Sequence, residues 1–163
     1  MDVLIDTHIL VCRESDRSLN RHLLEVLRIL NESKCRIVIH PLSVLEIEKD
    51  KNVPNKDVLL DKVKSYPVIS VRENPNDDDE FMRLMKPPKS PREQTDHHLL
   101  HCVYRKKVDY FLTEDPELHD KADVLNISDK TKTLKEALQF FTKTPVLKKI
   151  DAPIYFFYSK GDI

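Results

Sequence analysis

A single glycine, Gly161, stands third from the end of a 163-residue chain. Chemistry that needs a glycine-rich backbone close to phosphate, as in a Walker loop or a dinucleotide-binding turn, is thereby excluded, and so is the nucleophile elbow of hydrolases. Phosphate, if the protein handles it, meets side chains or metal ions. Tryptophan is absent, and the three cysteines, Cys12, Cys35 and Cys102, stand apart without a CxxC pair. That spacing supports neither a zinc knuckle nor a disulfide framework. Cys12 and Cys35 lie in apolar surroundings and Cys102 beside His101, so all three read as reduced thiols. Net charge is also missing: 27 basic residues against 28 acidic ones leave −1, so no global field draws in nucleic acid and only local patches remain. No apolar run approaches the roughly 18 residues of a membrane span, and the opening MDVLID lacks a basic segment followed by a long apolar one. The expectation is a cytoplasmic protein that neither crosses a membrane nor carries a signal peptide.

What is present describes a folded domain. Hydrophobic residues make up 40% and charged residues 34% of the chain, the balance of a soluble globular protein long enough for one self-sufficient core. Short apolar runs read as buried strands at residues 3–5 (VLI), 35–39 (CRIVI), 67–71 (PVISV) and 110–112 (YFL). Between the first two, Ser18 reads as the cap of a helix with Leu19, Leu23, Val26, Leu27 and Leu30 on one face. Helices also fit residues 41–51, 56–65, 95–107, 116–122 and 134–141. Strands alternating with helices argue an α/β fold of three layers, with a parallel sheet of four or five strands between helices.

Two segments break that rhythm. Residues 74–92 (NPNDDDEFMRLMKPPKSPR) are acidic at the start and Pro-rich and basic at the end, which reads as a mobile connection around one short helix. Residues 143–163 form a C-terminal extension beyond a domain of residues 1–142. Its apolar run at 154–158 either adds a strand to the sheet, pairs with a second protomer, or begins a further domain.

In an open parallel sheet, ligands bind at the carboxyl ends of the strands. Asp6 ends the first strand, and Asp115 follows the strand ending at Leu112. Glu46 lies early in the helix after CRIVI, and Asp96 falls in the first turn of the helix expected to begin at Thr95. All four map to the same sheet edge. Asp96 shares a face with Leu100 and Val103, and Glu46 stacks four residues after Leu42, so both acids point inward, where a lone carboxylate is costly. Gathered carboxylates repel and raise one another's pKa unless a cation neutralises them, and oxygen ligands select Mg²⁺ or Mn²⁺. Such a site suits phosphodiester hydrolysis. The other reading of the same acids is as caps and first-turn residues that offset helix dipoles.

The motifs resemble those of PIN-domain proteins. VLIDTHILV (residues 3–11), PLSVLEIEKD (41–50) and TDHHLLHCVYRKKVDYFLTEDPEL (95–118), with the HDKA that follows, are similar to that family's acidic motifs in order and spacing. The resemblance implies a PIN fold over about residues 1–142 and metal-dependent cleavage, usually of RNA, leaving 5′-phosphate and 3′-hydroxyl ends. By position it implies Asp6, Glu46, Asp96 and Asp115 as metal ligands, with Thr7, Ser43 and Thr113 as hydroxyls that orient ligands or water. His8 stands where the family commonly has Asn. The connection at 74–92 is longer than in the family's compact toxins, and the tail has no counterpart there.

Other residues invite weaker assignments. His97 and His101 are one helical turn apart, but no third zinc ligand has suitable spacing, so they read as surface histidines near the crevice. Lys89 and Arg92 are candidate contacts to a phosphate backbone entering the site. Phe81, Met82, Leu84 and Met85 suit a small satellite core. The expectation is a Mg²⁺ or Mn²⁺ dependent endoribonuclease acting in RNA processing, RNA decay or toxin-type cleavage. Its partners would be RNA and, in a toxin setting, an antitoxin or another protein, with a homodimer through the tail as a further arrangement. The competing readings are a catalytically silent PIN-like scaffold that binds RNA or protein, and the N-terminal nuclease part of a larger protein.

Overall fold

A computed structural model describes residues 1–12 and 17–143. The side chains of residues 12 and 17–19, and with them the expected Ser18 cap, lie outside that description, as do the apolar run at 154–158 and the rest of the extension from residue 144 on.

Four strands form one parallel sheet in the order β2-β1-β3-β4: β1 (Asp2–Ile5), β2 (Arg36–Val38), β3 (Tyr110–Leu112) and β4 (Thr131–Lys132). Leu4 of β1 is paired with Val38 on one side and Phe111 on the other. Among the described residues, eight helices surround the sheet: α1 (Thr7–Cys12), α2 (Arg17–Glu32), α3 (Pro41–Lys49), α4 (Lys56–Lys64), α5 (Asp79–Leu84), α6 (Pro91–Tyr104), α7 (Pro116–Val124) and α8 (Leu134–Lys143). None of them is long and apolar enough to cross a membrane.

The two-residue period of a strand sorts its side chains onto opposite faces. Val3, Ile5 and Leu112 join one core with Leu23 and Leu30 of α2, Ile47 of α3 and Phe141 of α8. Leu4, Val38 and Phe111 face the other way, into a second core with Phe81, Leu100 and Leu118. Apolar clusters on both faces explain why the strands read as unbroken hydrophobic runs. The result is the three-layer α/β/α arrangement with a four-stranded parallel sheet.

The details correct several expectations. Residues 67–71 form no strand; a single bridge joins Val68 to Ile39, through the Ile39 N–H to Pro67 O (2.9 Å) and the Ile69 N–H to Ile39 O (3.0 Å). Pro67 has no N–H to extend the ladder. Helix α6 starts at Pro91, four residues before Thr95. Ser90 is its cap, accepting the Glu93 N–H at 3.1 Å, while the Glu93 carboxylate reaches back to the Lys89 N–H at 2.7 Å. This is the reciprocal logic of a capping box, with Pro91 in the first helical position, where its missing N–H costs nothing.

Residues 74–92 are built into the fold and are not the mobile connection expected. Asn74 caps a 3-10 turn (Pro75–Asp77), and Asp78 caps α5. Phe81 has no exposed surface and joins Met85 in the second core, where the sequence suggested a separate satellite. The Asp78 carboxylate takes both the Arg105 guanidinium (2.6 Å) and the His101 ring (2.8 Å), tying α5 to α6. Arg105 holds that carboxyl far below the usual range.

Scarce glycine leaves a mark on the helix ends. Lys34, Lys106 and Asn126 adopt the left-handed conformation, with φ of 56°, 57° and 56°. Each precedes an N–H that closes a helix on a carbonyl five residues back: Cys35 to Leu30 (2.9 Å), Lys107 to Cys102 (2.8 Å) and Ile127 to Ala122 (3.0 Å). This position ordinarily selects glycine, and another residue there costs about 1–2 kcal/mol.

Candidate active site at the sheet edge

In this strand order, the connections after β1 and β3 leave in opposite directions across the sheet, so a crevice opens beyond their carboxyl ends. The two strands deliver the central residues there. The Asp6 N–H continues the ladder to Leu112 O at 2.9 Å, and the Asp6 side chain is left at the rim, 8% exposed. Thr113, fully buried, donates its hydroxyl to Asp6 Oδ2 at 2.9 Å and accepts the Asp115 N–H at 3.1 Å. Asp6 Oδ1 accepts the His8 N–H at 3.0 Å. Asp115 caps α7 through the Glu117 N–H (2.9 Å), with Pro116 in the first helical position.

The flanking helices supply the other two acids. Asp96 is the sixth residue of α6 and not in its first turn, because the helix begins at Pro91. It is 7% exposed and meets Lys121 of α7, Nζ to Oδ2 at 3.6 Å. Glu46 of α3 is exposed at the rim and not turned inward as its place four residues after Leu42 suggests, because that part of the α3 face lies at the open edge of the crevice; the Thr95 hydroxyl stands beside its carboxylate.

Three of the carboxyls, Asp6, Asp96 and Glu46, are raised above the ordinary carboxylate range. Burial pushes Asp6 upward; the His8 N–H and the Thr113 hydroxyl oppose this, and the Asp115 charge adds to it. Asp96 is pushed up to about 6, chiefly by burial and further by the charges of Asp115 and Asp6, against the pull of Lys121. Glu46 is raised by loss of solvent and by the charge of Asp6. Each of these carboxyls therefore carries a cost in its ionised form that nearby hydrogen bonds do not remove.

Of the hydroxyls singled out beside the acids, Thr113 bonds Asp6 directly. Thr7 and Ser43 are buried, and among the described residues neither hydroxyl bonds a carboxylate. Thr7 lines a small cavity of about 120 Å³ with Asp6, His8 and Glu46. Arg92 reaches the site as an ion pair, its guanidinium 3.3 Å from Asp115 Oδ2. Lys89 is exposed before α6. His97 and His101 are not surface histidines: each is 3% exposed, and both rings stand edge-on to Phe81. Sequence reasoning missed Thr95 as a partner of Glu46 and Lys121 as a partner of Asp96. Lys121 lies on a helix recognised from its pattern, but nothing local pairs it with an acid 25 residues earlier in the chain.

The donor chemistry, carboxylate oxygen throughout, suits a hard divalent cation. The positions are more open than that chemistry requires: among the described residues, no three His, Cys, Asp or Glu side chains converge closely enough to hold a metal ion. Positive charge reaches Asp96 and Asp115 instead from Lys121 and Arg92.

Fold and site together define a three-layer α/β/α protein with a carboxylate-rich crevice where its sheet changes direction. No family model matches the chain, and no curated protein matches it. Among solved structures, it is similar to a PilT N-terminus domain protein from the hyperthermophilic archaeon Sulfolobus solfataricus P2, at 15% identity and a TM-score of 0.48. The match covers 88% of this chain and 96% of that one.

Proposed function

We propose that the protein is a metal-dependent endoribonuclease of the PIN type, cutting RNA phosphodiester bonds at the crevice beyond β1 and β3. The observation that supports this most is the set of four carboxylates, Asp6, Glu46, Asp96 and Asp115, delivered to one sheet edge by four different elements. Two of them are more than nine-tenths buried and raised in pKa. Asp6 and Asp115 also serve the starts of α1 and α7, but capping does not call for buried acids raised in pKa, and their clustering at a cleft is the usual mark of a functional site.

Drawn closer together than they stand here, these four would hold Mg²⁺ or Mn²⁺, which would supply water activation and neutralisation of the phosphate charge. The chain's own residues prepare the place. Thr113 holds the Asp6 carboxylate and the Asp115 backbone in one register. Lys121 draws Asp96 toward its ionised form, the form a hard cation needs. Arg92, 70% exposed beside Asp115, is free on its outer side to meet a backbone phosphate.

A second reading, a PIN-like scaffold that binds without cutting, draws support from the same two cations. Lys121 and Arg92 already offset part of the negative charge, and no three acids converge to ligand distance among the described residues.

Labelled single-stranded RNA and matching DNA, incubated with Mg²⁺, Mn²⁺ or EDTA, separate the two readings when an Asp6→Asn protein is purified identically alongside. Cutting of RNA that needs the metal and disappears in Asp6→Asn supports the nuclease. If neither protein cuts and Mn²⁺ leaves the melting temperature of both unchanged, the scaffold reading replaces it.

A further inference from the structure

Beside the carboxylates lies a second cavity of about 480 Å³, bounded by α3, α6 and residues 71–74. Its size falls within the roughly 300–1,000 Å³ of small-ligand sites. Glu46 and Thr95 line it, so it shares one carboxylate with the acid cluster.

Its lining is of three kinds. Leu45, 43% exposed, and Pro91 offer apolar surface. Lys49 and Arg72 are exposed cations with no ion pair among the described residues. The carboxylate nearest Arg72 in the chain, Glu73, is committed to Lys107 at 2.9 Å. The third kind is hydrogen-bonding capacity left unused. Gln94 is exposed on α6, with an amide that both donates and accepts. His40 is 1% exposed; its Nδ1 accepts the Leu42 N–H at 3.0 Å, which places the ring proton on Nε2. That Nε2–H is buried without an acceptor, and the buried Nδ1 of the adjacent His98 has no partner either. Burial and the neighbouring His98 hold His40 down to about 4, so it is a neutral donor at physiological pH. A buried donor left unsatisfied costs about 1–3 kcal/mol, which an arriving acceptor would relieve.

Unpaired cations, exposed apolar side chains and polar atoms without partners are together the complement of a nucleotide: anionic phosphate, base face, hydrogen-bonding edge. We propose that this cavity takes one nucleotide unit of single-stranded nucleic acid. The phosphate lies between Lys49 and Arg72 and the base against Leu45 and Pro91, its edge read by Gln94 and the His40–His98 pair. That this unit flanks the bond to be cut rests on the nuclease reading; the binding itself does not. The cavity thereby selects which base stands next to the carboxylates.

The test measures binding without cutting, by fluorescence anisotropy of labelled ten-nucleotide homopolymers of A, C, G and U on Asp6→Asn protein in EDTA. Gln94→Ala, Lys49→Ala and Arg72→Ala are added singly to that background; all three side chains are exposed, and thermal melts verify folding. One homopolymer should bind at least about fivefold better than the worst, and Gln94→Ala should level the four. Lys49→Ala and Arg72→Ala should weaken all four alike by about fivefold and reduce the slope of log affinity against log salt by about one each. Absence of binding, equal affinity for all four, or a ranking that survives Gln94→Ala overturns the proposal. So does binding of the 5′-mononucleotides, followed by ligand NMR, without binding of the oligomers. Base preference lost in Gln94→Ala while unmutated protein never cuts RNA would retain the nucleotide subsite and remove the nuclease. Cutting at positions indifferent to all three substitutions would do the reverse.

Discussion

Asp96→Asn should make the protein more stable at neutral pH, although it removes an acid from the candidate site. The carboxyl is 7% exposed and is raised from 3.8 to about 6 by burial and by the charges of Asp115 and Asp6. Its proton is bound more tightly in the folded chain than in the unfolded one. The penalty is therefore absent below pH 4, accrues as the pH rises from about 4 to 6, and is constant above that. A displacement of this size corresponds to about 3 kcal/mol at pH 7. The asparagine is similar in shape and never ionises, so it avoids the penalty, from which the pull of Lys121 is already deducted. The gain is about 3 kcal/mol, which for a chain of this length raises the melting temperature by roughly 6–12 °C. Thermal melts of both proteins in EDTA at pH 4 and pH 7.5 test this. The gain should be present at pH 7.5 and vanish at pH 4. Destabilisation at pH 7.5, or an equal gain at both values, would refute the claim that burial and like charge strain this carboxyl.

Three further changes probe the fold around the site. Thr113→Val keeps the side-chain shape but strips the Asp6 carboxylate of a donor and the Asp115 N–H of its acceptor, for an expected loss of about 2–4 kcal/mol in urea denaturation. A loss below about 0.5 kcal/mol would show that water replaces the hydroxyl. Phe81→Ala should cost about 3–5 kcal/mol, because the ring is fully buried in the second core; a cost under about 1 kcal/mol would return residues 74–92 to the status of a loose connection. Lys106→Gly, at a φ of 57°, should stabilise by about 0.5–1 kcal/mol, and any destabilisation in the same assay would contradict the left-handed helix end.

Much of the architecture is legible in the residues because burial on both faces of a parallel sheet leaves a one-dimensional trace. The runs VLI of β1 and YFL of β3 are apolar without interruption, that of β2 is broken only by the exposed Arg36, and the position of Asp6 and Asp115 after two of them follows directly. Strand β4 leaves no such trace: Thr131 and Lys132 are polar and join the sheet through backbone pairing with Phe111 and Leu112. The start of α6 was readable in principle from Ser90-Pro91 and Glu93, but the surrounding prolines and basic residues suggested a loop. The same prolines obscured how firmly Phe81 and Met85 are buried. Pairings over long separations, such as Lys121 with Asp96 and Arg105 with Asp78, depend on how helices pack and leave no periodic signal.

The bond between Thr113 and Asp6 joins residues 107 positions apart, and it is made where β1 and β3 lie side by side. During synthesis, the first strand can pair with β2 after some forty residues, but it must wait for β3 before its other edge is covered. A chain released or cleaved before residue 113 holds Asp6, Glu46 and Asp96 yet has no β3-anchored hydroxyl to orient the first of them and no Asp115 beside it. The arrangement of carboxylates at the crevice is thus coupled to completion of the domain: a chain cut short before β3 lacks it, whatever stability its remaining part retains.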